Sequence, residues 1–424
     1  MQNIGNLTII ALVILNIVVW LVFPPVYNGN PNFLRHYAGE IIGSNNIVLM
    51  ACSLFLSTRP KWAEKYFGGL DKMYMTHRNT GTAAFLLIFA HVLTVPITTT
   101  GWRLGNYLGV IAFTGIVSIV LITLAPRIPF LNRLTGGDYE DWKKLKRWIG
   151  IFFILGFFHS LTVDALDARI AITWTMIFFI IGTVSYLYTE VFGGIFKKFL
   201  PYKVEAVKHP NNSSTEVTLR PRKEPIKKQR AGQFLFVRFP SEKDLNESHP
   251  FTISSAPAED VLRLTIKASG NFTRDLFAKL KEGADALIEG AYGMFDYKTG
   301  GQKQIWIAGG IGVTPFLSFI RDMNGSLAHN VDFYYTVRHP DEALFMDEIG
   351  AAAEKNPRLN VHIRFSATQG SLTIDHILKN VNGNIRDYHV YLCGPLPMIL
   401  AFERKFLDLG LPKNQTHYEE FNFR

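Results

Sequence analysis

Cysteine is almost missing from this chain of 424 residues: only Cys52 and Cys393 occur, far apart and in unlike contexts. That scarcity excludes a disulfide framework and a cysteine-rich metal site. The first apolar segment lacks a basic leader and a small-residue cleavage site, so it does not read as a removable signal peptide. The net charge is +9, yet the basic residues gather at the ends of apolar segments rather than in one continuous patch. They read as membrane-topology signals, and nucleic acid is not an expected partner.

Apolar residues are abundant, at 48% of the chain, although the mean hydropathy is only +0.12. The two halves account for the difference. Residues 1–196 are a succession of long apolar segments, whereas 197–424 have the make-up of a soluble α/β protein. Six candidate spans fall at 4–23, 38–57, 77–97, 106–126, 147–166 and 169–195. Each is close to the ~20 residues needed to cross ~30 Å of hydrocarbon. Arg59, Lys61, Lys65, Lys72 and Arg78 flank one short loop, and Arg127, Arg133, Lys143, Lys144, Lys146 and Arg147 crowd another. The opposite loops hold little more than Arg35, Arg103 and Arg169. The positive-inside rule then predicts a multi-pass protein of the cell membrane with both termini in the cytoplasm.

Four histidines lie in the apolar half: His36, His77, His91 and His159. Fourteen helical steps separate His77 from His91, which brings both imidazoles within roughly 40° of one another around the axis and about 21 Å apart along it. His159 sits about 13 residues into the fifth span, the depth that His91 reaches in the third. Two imidazoles at one depth on different helices suit a haem iron clamped from both sides; zinc would call for further ligands. An intramembrane histidine held by a neighbouring helix is the plainer reading, but ionisable residues in a membrane are functional candidates by default. At the inner level His77 faces "DWKKLKRWIG", which offers Lys146 in place of a histidine. Lys146 is either an unusual amine ligand or a topology-setting cation.

The soluble half carries nucleotide signals in order. "HPFTISSAP" (249–257) follows the probable strand "GQFLFVRF" and precedes "VLRLTIK" and "ASGNFTRDLF". Gly270 and Thr273 there open a helix whose free amides suit a pyrophosphate. "KQIWIAGGIGVTPFLSFI" joins an apolar strand, a turn with Gly309, Gly310 and Gly312, then Thr314-Pro315 and a helix, as a dinucleotide phosphate site requires. "VDFYYTVRHPDEALF" and "YHVYLCGPLPMI" add strands ending at Arg338 and at a Cys-Gly-Pro turn. The expected fold is a multi-domain membrane protein. A six-helix transmembrane bundle (1–196) is followed by an antiparallel β-barrel (197–299) and an α/β doubly wound nucleotide-binding domain (300–424).

The order His-Pro-Phe-Thr, Lys-x-x-Gly-x-x-Thr, Gly-Gly-x-Gly-x-Thr-Pro and Cys-Gly-Pro resembles the ferredoxin-NADP reductase superfamily. Joined to six helices with paired histidines, it is similar to the NADPH oxidase and ferric reductase family in its bacterial form. The resemblance implies FAD in the barrel, with His249, Pro250, Phe251 and Thr252 at the isoalloxazine, Lys267, Gly270 and Thr273 at its phosphates, and Phe272 among the cofactor-binding residues. It implies a nicotinamide nucleotide on Gly310, Gly312, Thr314 and Pro315, with Cys393 and Gly394 near the nicotinamide. Phe421 of "HYEEFNFR", or failing it Phe423, would cover the flavin ring, and Arg35 would lie by the outer haem. Two haems b are implied, ligated by His77, His91 and His159, with Lys146 where the family has histidine. The family's Ser-Arg is Ser366-Ala367 here, so Arg338 is left to favour NADPH over NADH.

The activity implied is an NADPH oxidase that passes electrons across the membrane to O2 and forms superoxide. A ferric chelate is the alternative acceptor; a relay subunit and a haem-based sensor are further rivals. The short outer loops favour O2. With neither a calcium-binding loop nor a long tail, constitutive activity without an obligate protein partner is expected.

Overall fold

The computed structural model describes residues 4–96, 101–124, 145–163, 166–193, 198–323 and 328–419. The chain forms two compact units: Met1–Gly68 with Lys72–Phe196, and Gly69–Asp71 with Lys197–Arg424.

The first unit is helical. Its helices are α1 (Ile4–Val22), α2 (Phe33–Ser57), α3 (Lys61–Phe67), α4 (Leu70–Thr94), α5 (Leu104–Leu124), α6 (Ile149–Thr162) and α7 (Arg169–Tyr186), the last continued by a π-turn (Leu187–Val191). A helix stands at each expected span, with α3 as an unforeseen addition. Among the described residues, four are long and apolar enough to cross a membrane by length and composition: α1, α2, α5 and α7 with its extension. The helices at the other two expected spans fall short of that standard. Helix α6 is apolar but has only 14 residues. Helix α4 starts at Leu70 rather than 77, and Asp71, Lys72, His77 and Arg78 dilute its apolar character.

The unit is built inside out relative to a water-soluble bundle. Leu7, Ile14, Leu86, Leu93, Leu121, Ile180 and Val184 are exposed, while Asn16 is buried and donates through Nδ2 to the buried Ser44 Oγ at 2.9 Å. Small residues let backbones approach. A Cβ on Gly182 would lie 2.7 Å from the Phe153 ring and 3.2 Å from Ala51 Cα.

The second unit holds two sheets. The antiparallel one contains β1 (Leu200–Asn211), β2 (Ser214–Pro221), β3 (Phe234–Arg238), β4 (His249–Thr252), β5 (Leu262–Lys267) and β6 (Asp285–Tyr292) in the order β4-β3-β6-β1-β2-β5. An antiparallel bridge between Ile253 and Leu264 ties its two edges together. Val204, Val217, Leu219, Leu235, Val237, Leu264 and Ile288 fill its inside, and α8 (Asn271–Lys279) follows β5.

The other sheet is parallel, with β7 (Lys303–Gly309), β8 (Asn330–Val337), β9 (Leu359–Phe365), β10 (Tyr388–Cys393) and β11 (Thr416–Glu419) in the order β11-β10-β7-β8-β9. Its strands are apolar on both faces because helices cover both. Trp306, Phe333, Tyr335 and Tyr391 pack with Phe316 and Phe319 of α9 (Thr314–Asp322), near Ile349 of α10 (Met346–Lys355). Ile305, Ile307, Val390 and Leu392 pack with Ile399, Phe402 and Phe406 of α11 (Leu396–Asp408) on the reverse side. After β9 the chain returns to the far side of β7. The carboxyl ends of β7 and β10 therefore flank a topological switch point, where ligands of open α/β sheets bind.

Candidate functional sites

Two turns meet at that switch point. A Cβ on Gly312 would fall 2.3 Å from the Cys393 carbonyl oxygen and 2.7 Å from Gly394 Cα, and one on Gly309 would fall 2.8 Å from Pro395 Cδ. Only glycine fits at either place, so the two expected nucleotide motifs touch backbone to backbone. Gly310 adopts φ +55°, with open space where a side chain would be. Pro315 lies in the first turn of α9, and Thr314 Oγ1 donates to the Ile311 carbonyl at 3.1 Å. The first amides of α9 thus rise from a bare glycine turn, a fitting place for a pyrophosphate. Arg338 follows β8 directly and is exposed.

On the antiparallel sheet, His249 and Phe251 share one side of β4 by strand alternation. Phe272 stacks on His249 at 3.8 Å between centroids and lies 6.3 Å from Phe251. Pro250 pairs with Phe236. Lys267 ends β5 with Nζ 3.9 Å from Glu342 Oε2. Gly270 caps α8, and Thr273 Oγ1 accepts from the amides of Ser269 and Gly270 at 2.9 Å each. That hydroxyl shapes the turn, a local use the expectation of a phosphate contact did not include.

Thr252 points the other way and is buried. Its Oγ1 donates to Glu419 Oε2 at 3.5 Å, and Glu419 pairs in register with Cys393 across β10 and β11. Burial pushes the Glu419 carboxyl well above the usual carboxylate range. Burial, with the nearby Glu419, likewise pushes the Cys393 thiol up. A hydroxyl, a carboxyl and a thiol, the last two with raised pKa values, therefore gather where the two sheets meet. Glu419 lies two residues before Phe421 in "HYEEFNFR", where nothing in the sequence marks it for a role. Phe421 and Phe423 lie outside the described residues.

In the helical unit, His91 and His159 face each other with ring centroids 6.3 Å apart and planes at 80°. Each Nδ1 lies 2.8 Å from a backbone carbonyl, Gly39 for His91 and Gly105 for His159. A carbonyl only accepts, so each Nδ1 carries a proton, and the neutral form of each ring keeps its lone pair on Nε2. Metal-binding histidines are commonly held this way. One turn further along the same helices, a Cβ on Gly43 would sit 3.0 Å from His91 and one on Gly109 2.7 Å from His159. "GEIIG" and "GNYLG" thus do the same two jobs on α2 and α5: the first glycine accepts a hydrogen bond and the second leaves room for the ring. The donor set and the cleared space would fit a haem held by the two imidazoles.

His77 repeats the arrangement fourteen residues earlier on α4, its Nδ1 2.8 Å from the Ser53 carbonyl. The Lys146 side chain lies outside the described residues; its backbone is in a single 3-10 turn (Lys146–Trp148). Arg35 donates to the carbonyls of Thr94 (3.2 Å) and Leu93 (3.4 Å), closing the end of α4 three residues beyond His91. Among the described residues no group of three or more His, Cys, Asp or Glu is placed to hold a metal ion.

Residues 200–310 match the family model of an FAD-binding domain, and residues 306–404 that of an oxidoreductase NAD-binding domain. Together they make a ferredoxin-NADP reductase-like module. The module is NAD(P)H-dependent and transfers electrons through a flavin. Flavohemoprotein A of Dictyostelium discoideum is 26% identical to this chain over 215 residues, which span 46% of this chain and 53% of that protein. The carnitine monooxygenase reductase subunit of Escherichia coli is 30% identical over 190 residues, 43% of this chain and 56% of that one. The chain thus spans about half the length of the curated relatives it matches. A crystal structure of flavohemoglobin from Malassezia yamatoensis with bound FAD and heme shares the fold, with a TM-score of 0.52 at 18% identity, covering 91% of this chain and 97% of that one.

Proposed function

We propose that the chain is a transmembrane NADPH oxidase, in which the reductase module draws electrons from cytoplasmic NADPH and the helical unit passes them through haem b to O2 outside, forming superoxide. The paired imidazoles of His91 and His159, each fixed by a glycine carbonyl at 2.8 Å, carry this reading. A reductase module alone would have no use for them. In the proposed division, residues 1–196 hold haem in the membrane, 197–299 hold FAD and 300–424 hold the nucleotide, with both termini in the cytoplasm.

When bound, the flavin takes up a hydride and releases single electrons, and the haem carries one at a time. The chain's own groups have distinct parts in this. His249, Phe251 and Phe272 form an aromatic wall for the flavin. Thr252 sits on a water-excluded side, its hydroxyl held by the buried Glu419, whose carboxyl is raised by burial above the usual carboxylate range. Gly310, Gly312 and the start of α9 receive the nucleotide phosphates, and Arg338 grips a 2′-phosphate. Phe421 is assigned to the flavin face on the strength of the motif. His77 is the inner haem ligand, with Lys146 as its candidate counterpart.

The deciding experiment is a haem-to-flavin ratio on the purified chain, followed by NADPH turnover with O2 and with ferric citrate. Superoxide formation with haem present supports the reading. A haem-free chain that still turns over O2 at full rate would refute the membrane path, and a strong preference for ferric citrate would reassign the acceptor.

A further inference from the structure

The guanidinium of Arg321, near the end of α9, is almost fully enclosed, with 6% of its side chain exposed. Its Nε and Nη2 donate to the two oxygens of Glu348 at 2.7 and 2.8 Å, and Nη2 also reaches Glu216 Oε1 at 3.4 Å. The third direction of the fork belongs to the other sheet: Nη1 donates to the Ser254 carbonyl at 2.9 Å. One turn earlier on the same helix face, the buried Ser318 Oγ donates to the next carbonyl, Ser255, at 2.7 Å. Burial works against the charge, but the Glu348 carboxylate holds the Arg321 pKa above its ordinary value. Burying a cation on this scale is costly unless every donor is used. Nothing in the nucleotide or flavin motifs calls for it.

The geometry points to Arg321 as a positioning residue that sets the distance between the nicotinamide and flavin subsites. Helix α9 begins at the glycine turn and ends on the segment that carries Thr252. Seven residues of helix, about 10 Å of nearly rigid rod, separate Thr314 from Arg321. Two consecutive carbonyls just beyond Thr252 are fixed to the far end of the helix whose near end receives the nucleotide. A shift of the Ser254–Ser255 backbone therefore moves the Thr252 hydroxyl relative to the nucleotide turn, with neither motif altered. This rests on placing the flavin at Thr252 and the nucleotide at residues 309–314.

Lysine retains the charge but has no fork, so Arg321→Lys cannot hold Glu348 in a bidentate way and reach Ser254 as well. In the full chain loaded with FAD, Arg321→Lys should keep its flavin content and its affinity for NADP+. It should slow flavin reduction by NADPH on the order of 10- to 100-fold, as misplacement by about 1 Å does. It should also weaken the long-wavelength charge-transfer absorbance of the nucleotide–flavin complex. Ser318→Ala, which removes one bond and no charge, should move both readouts the same way by a smaller factor. Unchanged reduction rate and absorbance in both variants, or a fall explained wholly by lost FAD, would overturn the role. A wild-type chain that shows no such absorbance, or whose flavin responds to neither nucleotide, would overturn the subsite placement itself.

Discussion

Gly39 on α2 and His91 on α4, 52 residues apart in the chain, are joined by a 2.8 Å hydrogen bond from imidazole Nδ1 to the glycine carbonyl. Gly105 and His159 form the same bond on α5 and α6. Two unrelated helix pairs have settled on one solution, and that repetition argues for a shared ligand more strongly than either histidine alone.

His91→Ala and His159→Ala should each abolish the absorbance signature of a bis-imidazole haem in the purified chain and stop reduction of the external acceptor. Flavin reduction by NADPH should persist, since the reductase module is untouched. Retention of the signature in both variants would dismiss the assignment.

Gly109→Ala places a methyl 2.7 Å from His159 Nδ1. The ring must turn and give up its bond to Gly105, so haem occupancy should fall several-fold or the haem spectrum should shift. Gly156→Ala is the control: its Cβ would meet nothing within 4 Å, and alanine in a helix should stabilise by roughly 0.5–1 kcal/mol. Equal effects of the two substitutions would show that the cleared space has no ligand to serve.

Glu419 predicts a pH dependence with a definite sign. Its carboxyl is raised from an ordinary value of 4.5 by burial. Below that value the folded and unfolded chains both hold the proton, and the group's contribution to stability is fully present. As pH rises, the unfolded chain releases the proton first, so stability is lost by about 1.4 kcal/mol per pH unit until the folded carboxyl also ionises. Glu419→Gln removes this loss. Its thermal midpoint relative to wild type should rise between pH 4.5 and neutrality; a difference independent of pH would mean that the carboxyl is already ionised in the fold.

Arg338 is exposed at the carboxyl end of β8, where a guanidinium can take a 2′-phosphate in a bidentate way. Arg338→Ala should raise KM for NADPH roughly 10- to 100-fold and leave KM for NADH nearly unchanged, since such a contact is worth about 1.5–3 kcal/mol. A similar rise for both nucleotides would indicate a structural part instead.

Much of the reductase module was legible because its signals are local. "KQIWIAGGIGVTPFLSFI" spells out strand, bare turn and helix, and β7, the glycine turn and α9 follow in that order. The matched depth of His91 and His159 also carried through, since helical rise is nearly constant. Three things were not legible. Gly39 and Gly105 act through partners more than 50 residues away, and a glycine in an apolar helix does not announce what it touches. Arg321 sits in "FLSFIRD", where nothing nearby marks its enclosure by Glu348, Glu216 and Ser254. The start of α4 was placed seven residues late because Leu70–Thr76 are helical without being apolar enough to mark a span.

Helices α2 and α4 run like two racks with matching teeth. Gly39 engages His91 and Ser53 engages His77, so fourteen residues on one helix answer fourteen on the other. One inserted residue in α4 alone would swing one imidazole about 100° and displace it 1.5 Å relative to the other. Viable length changes between these levels must therefore arise in both helices together, a coupling that substitutions alone would never reveal.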